Sequence, residues 1–314
     1  MLKLALALLA GAQAASAPTA DTWITLGTMG GPVAAPQRAQ PANALVRGSN
    51  VYLVDVGDGA AQQLADAGYR LPQVKAVFLS HLHVDHTGGL AALIGLRNQT
   101  NVAEVLTIYG PPGTKVLVDG ITASLKPAAA AGYGIPGQHW AAPESIVRVV
   151  ELAGGASVRV GDMIVRTAQN THYDYAPGSP DDRAYKSLSL RFDMPGRSIA
   201  YTGDTGPSPA VTALAKGADL LVSEMIDLDL TLDRVAKNSP NMPAPARAKL
   251  VQHLSTHHLT PEAVGQLAGA AGVKAVAVTH FAGGSDPARA ADYRARIAKG
   301  FRGRLALADD LDRF

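Results

Sequence analysis

An α/β architecture is what this sequence predicts, on three observations. Strand-length runs such as Val51 to Val54, Val74 to Ser80 and Lys274 to Thr279 alternate with longer stretches of helical pattern. Those stretches carry boundary signals, as where Thr260 stands in the cap position ahead of Pro261. No Ser/Gly-rich linker divides the chain and no short repeat period appears, so a single α/β domain over residues 15–314 is the economical reading.

The elements follow in order. Asn43 to Asp55 gives strands that end at Asp55-Val56-Gly57-Asp58-Gly59, and a helix runs from Ala60 to Ala67. Val74 to Ser80 is a buried strand that runs straight into a histidine cluster. Gly89 to Leu96 is helical, Val105 to Tyr109 a strand, and Thr114 to Leu125 a helix after the Pro111-Pro112-Gly113 turn. Strands follow at Val158 to Thr167, Ser187 to Phe192 and Ser198 to Thr202. A helix over Val211 to Lys216, a strand over Asp219 to Ser223, a helix over Pro261 to Ala270 and the strand Lys274 to Thr279 complete the pattern. Pro240 to Pro245 reads as a loop, either a plain connector or an apolar lip at a site.

Composition excludes several function classes. Of 314 residues 47% are hydrophobic and 17% charged, enough apolar content for a packed core. A formal charge of +2 leaves no electrostatic footprint for nucleic acid or an anionic membrane. With no cysteine there are no disulfides, thiolate nucleophiles or Cys-type zinc sites, so any metal is held by His and carboxylate. Met1-Leu2-Lys3, the apolar run Leu4 to Ala12 and Ala12-Gln13-Ala14 form a cleavable export signal over 1–14. A periplasmic or secreted protein is therefore expected, without a membrane span.

Ser80-His81-Leu82-His83-Val84-Asp85-His86 places three imidazoles and a carboxylate at a strand's end, a donor set for a borderline divalent ion such as zinc. His81 and His83 are two apart and share a side on extended backbone. Asp85 and His86 stand where the chain turns into the next helix and can aim at a second ion. His172, Asp204 and His280 each end a later strand, the right positions to complete such a site.

These residues resemble the five ligand motifs of the metallo-β-lactamase fold, from about Ile24 to Asp310. The resemblance implies a four-layer αβ/βα sandwich with two zinc ions along one edge, manganese or iron fitting the same donors. It assigns His81, His83 and His172 to one ion, Asp85, His86 and His280 to the other, and Asp204 to both. Asp55 matches a carboxylate that orients a ligand imidazole.

The branch is read from smaller segments. β-Lactamases of this superfamily use a cysteine ligand or lack the bridging aspartate. Lactonases and glyoxalase II usually carry a Pro-Gly-His-Thr-like segment where this chain reads Asn170-Thr171-His172-Tyr173. The chain is more similar to the phosphodiesterase branch of tRNase Z and the zinc-type arylsulfatases. The segments that carry this are Asp55 to Gln62, Tyr109 to Thr114, Leu221 to Glu224 and, most specifically, His258-Leu259-Thr260-Pro261-Glu262. The likeness makes His258, Glu224 and Asp85 catalytic groups, with Glu224 orienting His258. It implies that a hydroxide between the ions attacks phosphorus or sulfur, while His258 stabilises charge or protonates the leaving oxygen. tRNase Z carries a long arm between its third histidine and bridging aspartate, whereas 31 residues separate His172 from Asp204.

The expectation is thus an exported hydrolase of small phosphodiesters or aryl sulfate esters, with no nucleic-acid partner and with a homodimer as one open assembly. A lactonase or β-lactamase-like hydrolase is the alternative, and an exported metal-binding or solute-sensing protein the non-enzyme one. His139 reads as surface packing beside Trp140, and His253 as an exposed helix position. His257 competes with His258 for the catalytic place, and His258 is preferred because it stands two before Thr260. Arg289, Arg294, Arg296, Lys299, Arg302 and Arg304 read as a solvated terminal face.

Overall fold

The computed structural model describes residues 21–314, so the expected export signal lies outside the described residues. The first half of the chain forms β1 (Thr22–Gly27), β2 (Met29–Gly30), β3 (Ala42–Arg47), β4 (Asn50–Val56), α1 (Ala60–Asp66) and β5 (Val74–Phe78). It continues with α2 (Val84–Thr87), α3 (Leu90–Gln99), β6 (Leu106–Gly110), α4 (Thr114–Ala131) and β7 (Val147–Glu151). The second half begins with β8 (Ser157–Val160), β9 (Met163–Gln169), α5 (Pro180–Ala184), β10 (Leu188–Met194), β11 (Arg197–Tyr201) and α6 (Pro209–Ala215). It closes with β12 (Leu220–Ile226), α7 (Leu228–Asn238), α8 (Ala244–Thr256), α9 (Pro261–Ala271), β13 (Ala275–Ala282), α10 (Ala290–Ile297) and β14 (Arg304–Leu307).

Two sheets pack face to face between helical layers. One has the order β1-β3-β4-β5-β6-β7, the other β14-β13-β12-β11-β10-β9-β8. Between them lies a core of inward residues from both, including Trp23, Phe78, Phe192, Tyr201 and Val222. The outer face of the first sheet is covered by Leu64, Leu93, Ile94 and Val118, carried by α1, α3 and α4. The outer face of the second is covered by Val211, Val264, Leu267 and Ile297, carried by α6, α9 and α10. This is the expected αβ/βα sandwich, and alternate residues of each strand face two different cores.

Differences from the sequence reading have local causes. Val158 to Thr167 is a hairpin, β8 and β9, turned through Gly161 with φ of 63°. α4 continues past Leu125 and through Pro127, and the Trp140 N–H takes the Ala129 carbonyl near its end. The segment read as a loop over 240–245 leads directly into α8, because Pro243 and Pro245 occupy the cap and first turn, where a missing N–H costs nothing. The cap on α9 is as read: the Thr260 hydroxyl accepts from the Ala263 N–H.

Candidate metal centre

Five chain segments deliver polar groups to one edge of the sandwich. His81 and His83 follow β5, Asp85 and His86 lie in α2, His172 follows β9, Asp204 follows β11, and His280 lies near the end of β13. Strands that end on the same side of a sheet put their next residues in one crevice. Leu188 and Ser80 tie the two sheets there, the Leu188 N–H donating to the Ser80 carbonyl at 2.9 Å.

His81 Nε2 lies 3.1 Å from His83 Nδ1, which lies 3.2 Å from His172 Nε2. The other nitrogens of His81 and His172 are already engaged. His81 Nδ1–H donates to Ser80 Oγ at 3.0 Å, and His172 Nδ1–H donates to the His257 carbonyl at 3.3 Å. These partners choose the tautomers that turn lone pairs of both rings inward. Burial holds the His81 and His172 imidazoles well below the usual histidine range, so they are neutral, as metal ligands must be.

The second group forms around His86 and His280, whose Nε2 atoms are 3.1 Å apart. Asp85 Oδ2 lies 3.4 Å from the former and 3.8 Å from the latter. His86 Nδ1–H donates to Asp55 Oδ2 at 2.8 Å, and the same oxygen accepts from Tyr201 Oη at 2.8 Å and Ser80 Oγ at 2.7 Å. Asp55 therefore holds His86 directly and His81 through Ser80.

Asp204 stands between the groups. Its Oδ1 lies 3.3 Å from His86 Nε2 and 3.1 Å from His280 Nε2, while Oδ2 lies 3.8 Å from His172 Nε2. Oδ1 is buried and no well-directed hydrogen bond reaches it, although two imidazole nitrogens lie within 3.3 Å. An anionic oxygen left so would be costly unless a cation sat beside it. The donor set thus fits divalent metal: His81, His83 and His172 form one potential ligand group, Asp85, His86 and His280 another.

The backbone is shaped to this purpose. Asp55 and His280 have φ of 56° and 41°, left-handed values that side-chain-bearing residues seldom adopt and that cluster at functional sites. Gly31 donates its N–H to Asp85 Oδ2 at 3.1 Å, and a Cβ on it would lie 2.0 Å from that oxygen.

Beside the cluster, His258 Nδ1–H donates to both oxygens of Glu224, at 3.1 and 2.9 Å, and Glu224 also accepts from the Thr205 N–H at 2.7 Å. Burial alone would lower the His258 pKa, but the Glu224 charge and hydrogen bond outweigh it and push it up to about 9. Its ring lies 5.0 Å from that of His172. His257 points elsewhere, its Nδ1–H donating to the Thr171 carbonyl.

His253 departs from the sequence reading. It is half-buried and faces the centre, its ring 5.4 Å from His172 and 5.8 Å from His258. The periodicity of 249–254 suggested exposure because it could not show which face α8 turns inward. His139 is exposed beside Trp140, as read, with Nδ1–H donating to the Ala130 carbonyl. The basic series is more engaged than a solvated face: Arg289 pairs with buried Asp227 at 2.9 Å, and Arg296 pairs with Glu262 at 2.7 Å.

A cavity of about 1540 Å³ opens over the cluster and is lined in part by His83, Asp85, His172, Asp204, His258 and His280. A sheet-edge crevice, two histidine–carboxylate groups sharing an aspartate, and an adjacent His–Glu pair define a metal-dependent hydrolase site of the metallo-β-lactamase type. The family model of the beta-lactamase superfamily domain matches residues 50–281, and the chain belongs to that family, in its phosphodiesterase branch. Ribonuclease Z of Mycobacterium sp. (strain KMS) is 30% identical over 292 residues, 92% of this chain and 94% of its own length. Among solved structures, the metallo-beta-lactamase fold protein YhfI from Bacillus subtilis superposes with a TM-score of 0.67 at 18% identity, over 94% of this chain and 98% of that one. The short form of human tRNase Z gives 0.63 at 19%, over 93% and 98%.

Proposed function

We propose that the chain is an exported hydrolase, loaded with two zinc ions, that cleaves phosphodiesters or aryl sulfate esters of small molecules. The observation that carries this is the division of Asp204, one oxygen toward His86 and His280 and the other toward His172, with the His258–Glu224 pair alongside. His81, His83 and His172 would hold one ion, Asp85, His86 and His280 the other, and Asp204 would touch both. Two such ions supply a nucleophile near neutral pH and neutralise charge on the ester.

The protein's own groups do the rest. Asp55 holds His86 in position and Ser80 holds His81. Glu224 holds His258 Nδ1, so Nε2 is the ring nitrogen left for a substrate oxygen. Protonated, His258 stabilises negative charge on a non-bridging oxygen or donates its proton to the departing oxygen. Similarity to ribonuclease Z supports phosphodiester chemistry, and the His258–Glu224 pair beside the cluster is consistent with it. The small-substrate reading is supported by the short connection between His172 and Asp204, which holds α5 and the β10–β11 hairpin.

The test is a substrate panel with the zinc-loaded protein: a bis-aryl phosphate, an aryl sulfate, a cyclic nucleotide, a lactone, a cephalosporin and a precursor tRNA. Zinc-dependent turnover of the phosphodiester or sulfate ester is the expected result. Preference for the lactone, the cephalosporin or the tRNA would contradict it, and absence of turnover would favour a metal-binding protein.

A further inference from the structure

The cavity over the metal cluster has a wall that the hydrolytic chemistry does not use. α8 turns Leu250, His253 and Leu254 toward it, at the i, i+3, i+4 spacing of one helical face, and α7 adds Arg234 and Val235. Across these two helices Thr231 is the single fully buried side chain. Val235, Leu250 and Leu254 are half-covered and face the cleft, and Met242 joins them from the connecting turn.

The arginines that line the cavity are already engaged. Arg234 donates to the carbonyls of Gly283 and Ser285, and Arg38 to the Thr28 hydroxyl, the Ala308 carbonyl and Asp309. No lysine lines the cavity among the described residues. A polynucleotide needs cations along the path of its flanking phosphates. This wall offers methyl and methylene groups.

We propose that the α7–α8 wall binds a bulky apolar group of the substrate, an aryl or medium-chain alkyl substituent of the ester, and so selects amphiphilic esters over nucleic acid. The proposal rests on the phosphodiesterase reading for the position of the ester itself. Burial of a methylene contributes about fourfold in affinity, so a chain lying along Val235, Leu250 and Leu254 has a steep length dependence.

Calorimetric titration of the zinc-loaded protein with n-alkylphosphonates from methyl to octyl reads this without turnover. Affinity should rise about threefold to fourfold per methylene from ethyl to hexyl. The double variant Leu250→Asn and Leu254→Asn should cut that slope to below about twofold, and Val235→Asn with Met242→Ser does the same test if the first fails to fold. A flat series on the unaltered protein, or a dinucleoside phosphonate that binds more tightly than octylphosphonate, would overturn the proposal. Steep alkyl dependence without turnover of any phosphodiester would uphold the wall and sink the hydrolase; turnover with a flat series would do the reverse.

Discussion

His258 is held by both oxygens of Glu224, at 3.1 and 2.9 Å, which leaves one nitrogen to meet a substrate. It lies outside the two groups proposed to hold the ions, although it stands near His172 and His253, so His258→Ala should keep both zinc ions and lose roughly 10²–10⁴-fold in rate. The loss should be smaller for nitrophenyl esters than for diesters with an alkoxide leaving group, which needs the proton more. Equal losses would place His258 on the non-bridging oxygens instead. His257→Ala should be mild, since that side chain donates to the Thr171 carbonyl and lies beside Asp174 and His253, none of them an assigned metal ligand; a severe loss would reverse the assignment of the two neighbours. The donors His81, His83, Asp85, His86, His172, Asp204 and His280 were legible in the sequence because each ends or follows an apolar strand. The His257 carbonyl that holds His172 was not, because a backbone group leaves no mark in residue type. His253 escaped for a different reason: its direction is set by how α8 sits on the sandwich.

Elements were legible where hydrophobic runs and caps agreed. β5, β11, β12, β13 and α9 lie within a few residues of their expected bounds, each a strongly apolar or well-capped stretch. β7 and β14 are half-covered edge strands of mixed polarity, and β1, though buried, alternates Thr with apolar residues, so none gave a comparable signal. The start of α8 was hidden because its prolines read as breakers. One buried cation also escaped notice. Arg97 of α3 is 1% exposed and donates to the carbonyls of Leu71, Val74 and Glu104 at 2.5, 3.1 and 3.0 Å. It thereby joins α3 to the entry of β5 and to the segment that leads into β6. Arg97→Met would keep much of the volume and strand three acceptors, so stability should fall by about 3 kcal/mol. Denaturant unfolding measures it, and a loss under about 1 kcal/mol would show that water replaces the guanidinium.

At the scale of the whole molecule, two sheets with three cores bring distant segments to one edge: His86 and His280 are 194 residues apart in sequence and 3.1 Å apart in space. Such long-range closure explains why the sequence revealed the donors while their division into two groups came from family resemblance. No helix among the described residues is long and apolar enough to cross a membrane. The Lys3, apolar and Ala12-Gln13-Ala14 series predicts a mature chain that begins near Ala15 outside the cytoplasm. N-terminal sequencing of protein from its native host checks this, and a chain still beginning at Met1 would contradict it.

The central claim, a metal pair joined by Asp204, is tested most directly by zinc titration of the metal-free protein, with bound metal and hydrolysis of a bis-aryl phosphate followed together. Activity should rise to a plateau at two ions per chain, and Asp204→Ala should lose activity together with most of the second ion. Full activity at one ion per chain, or an Asp204→Ala variant that keeps two ions and its rate, would contradict the account.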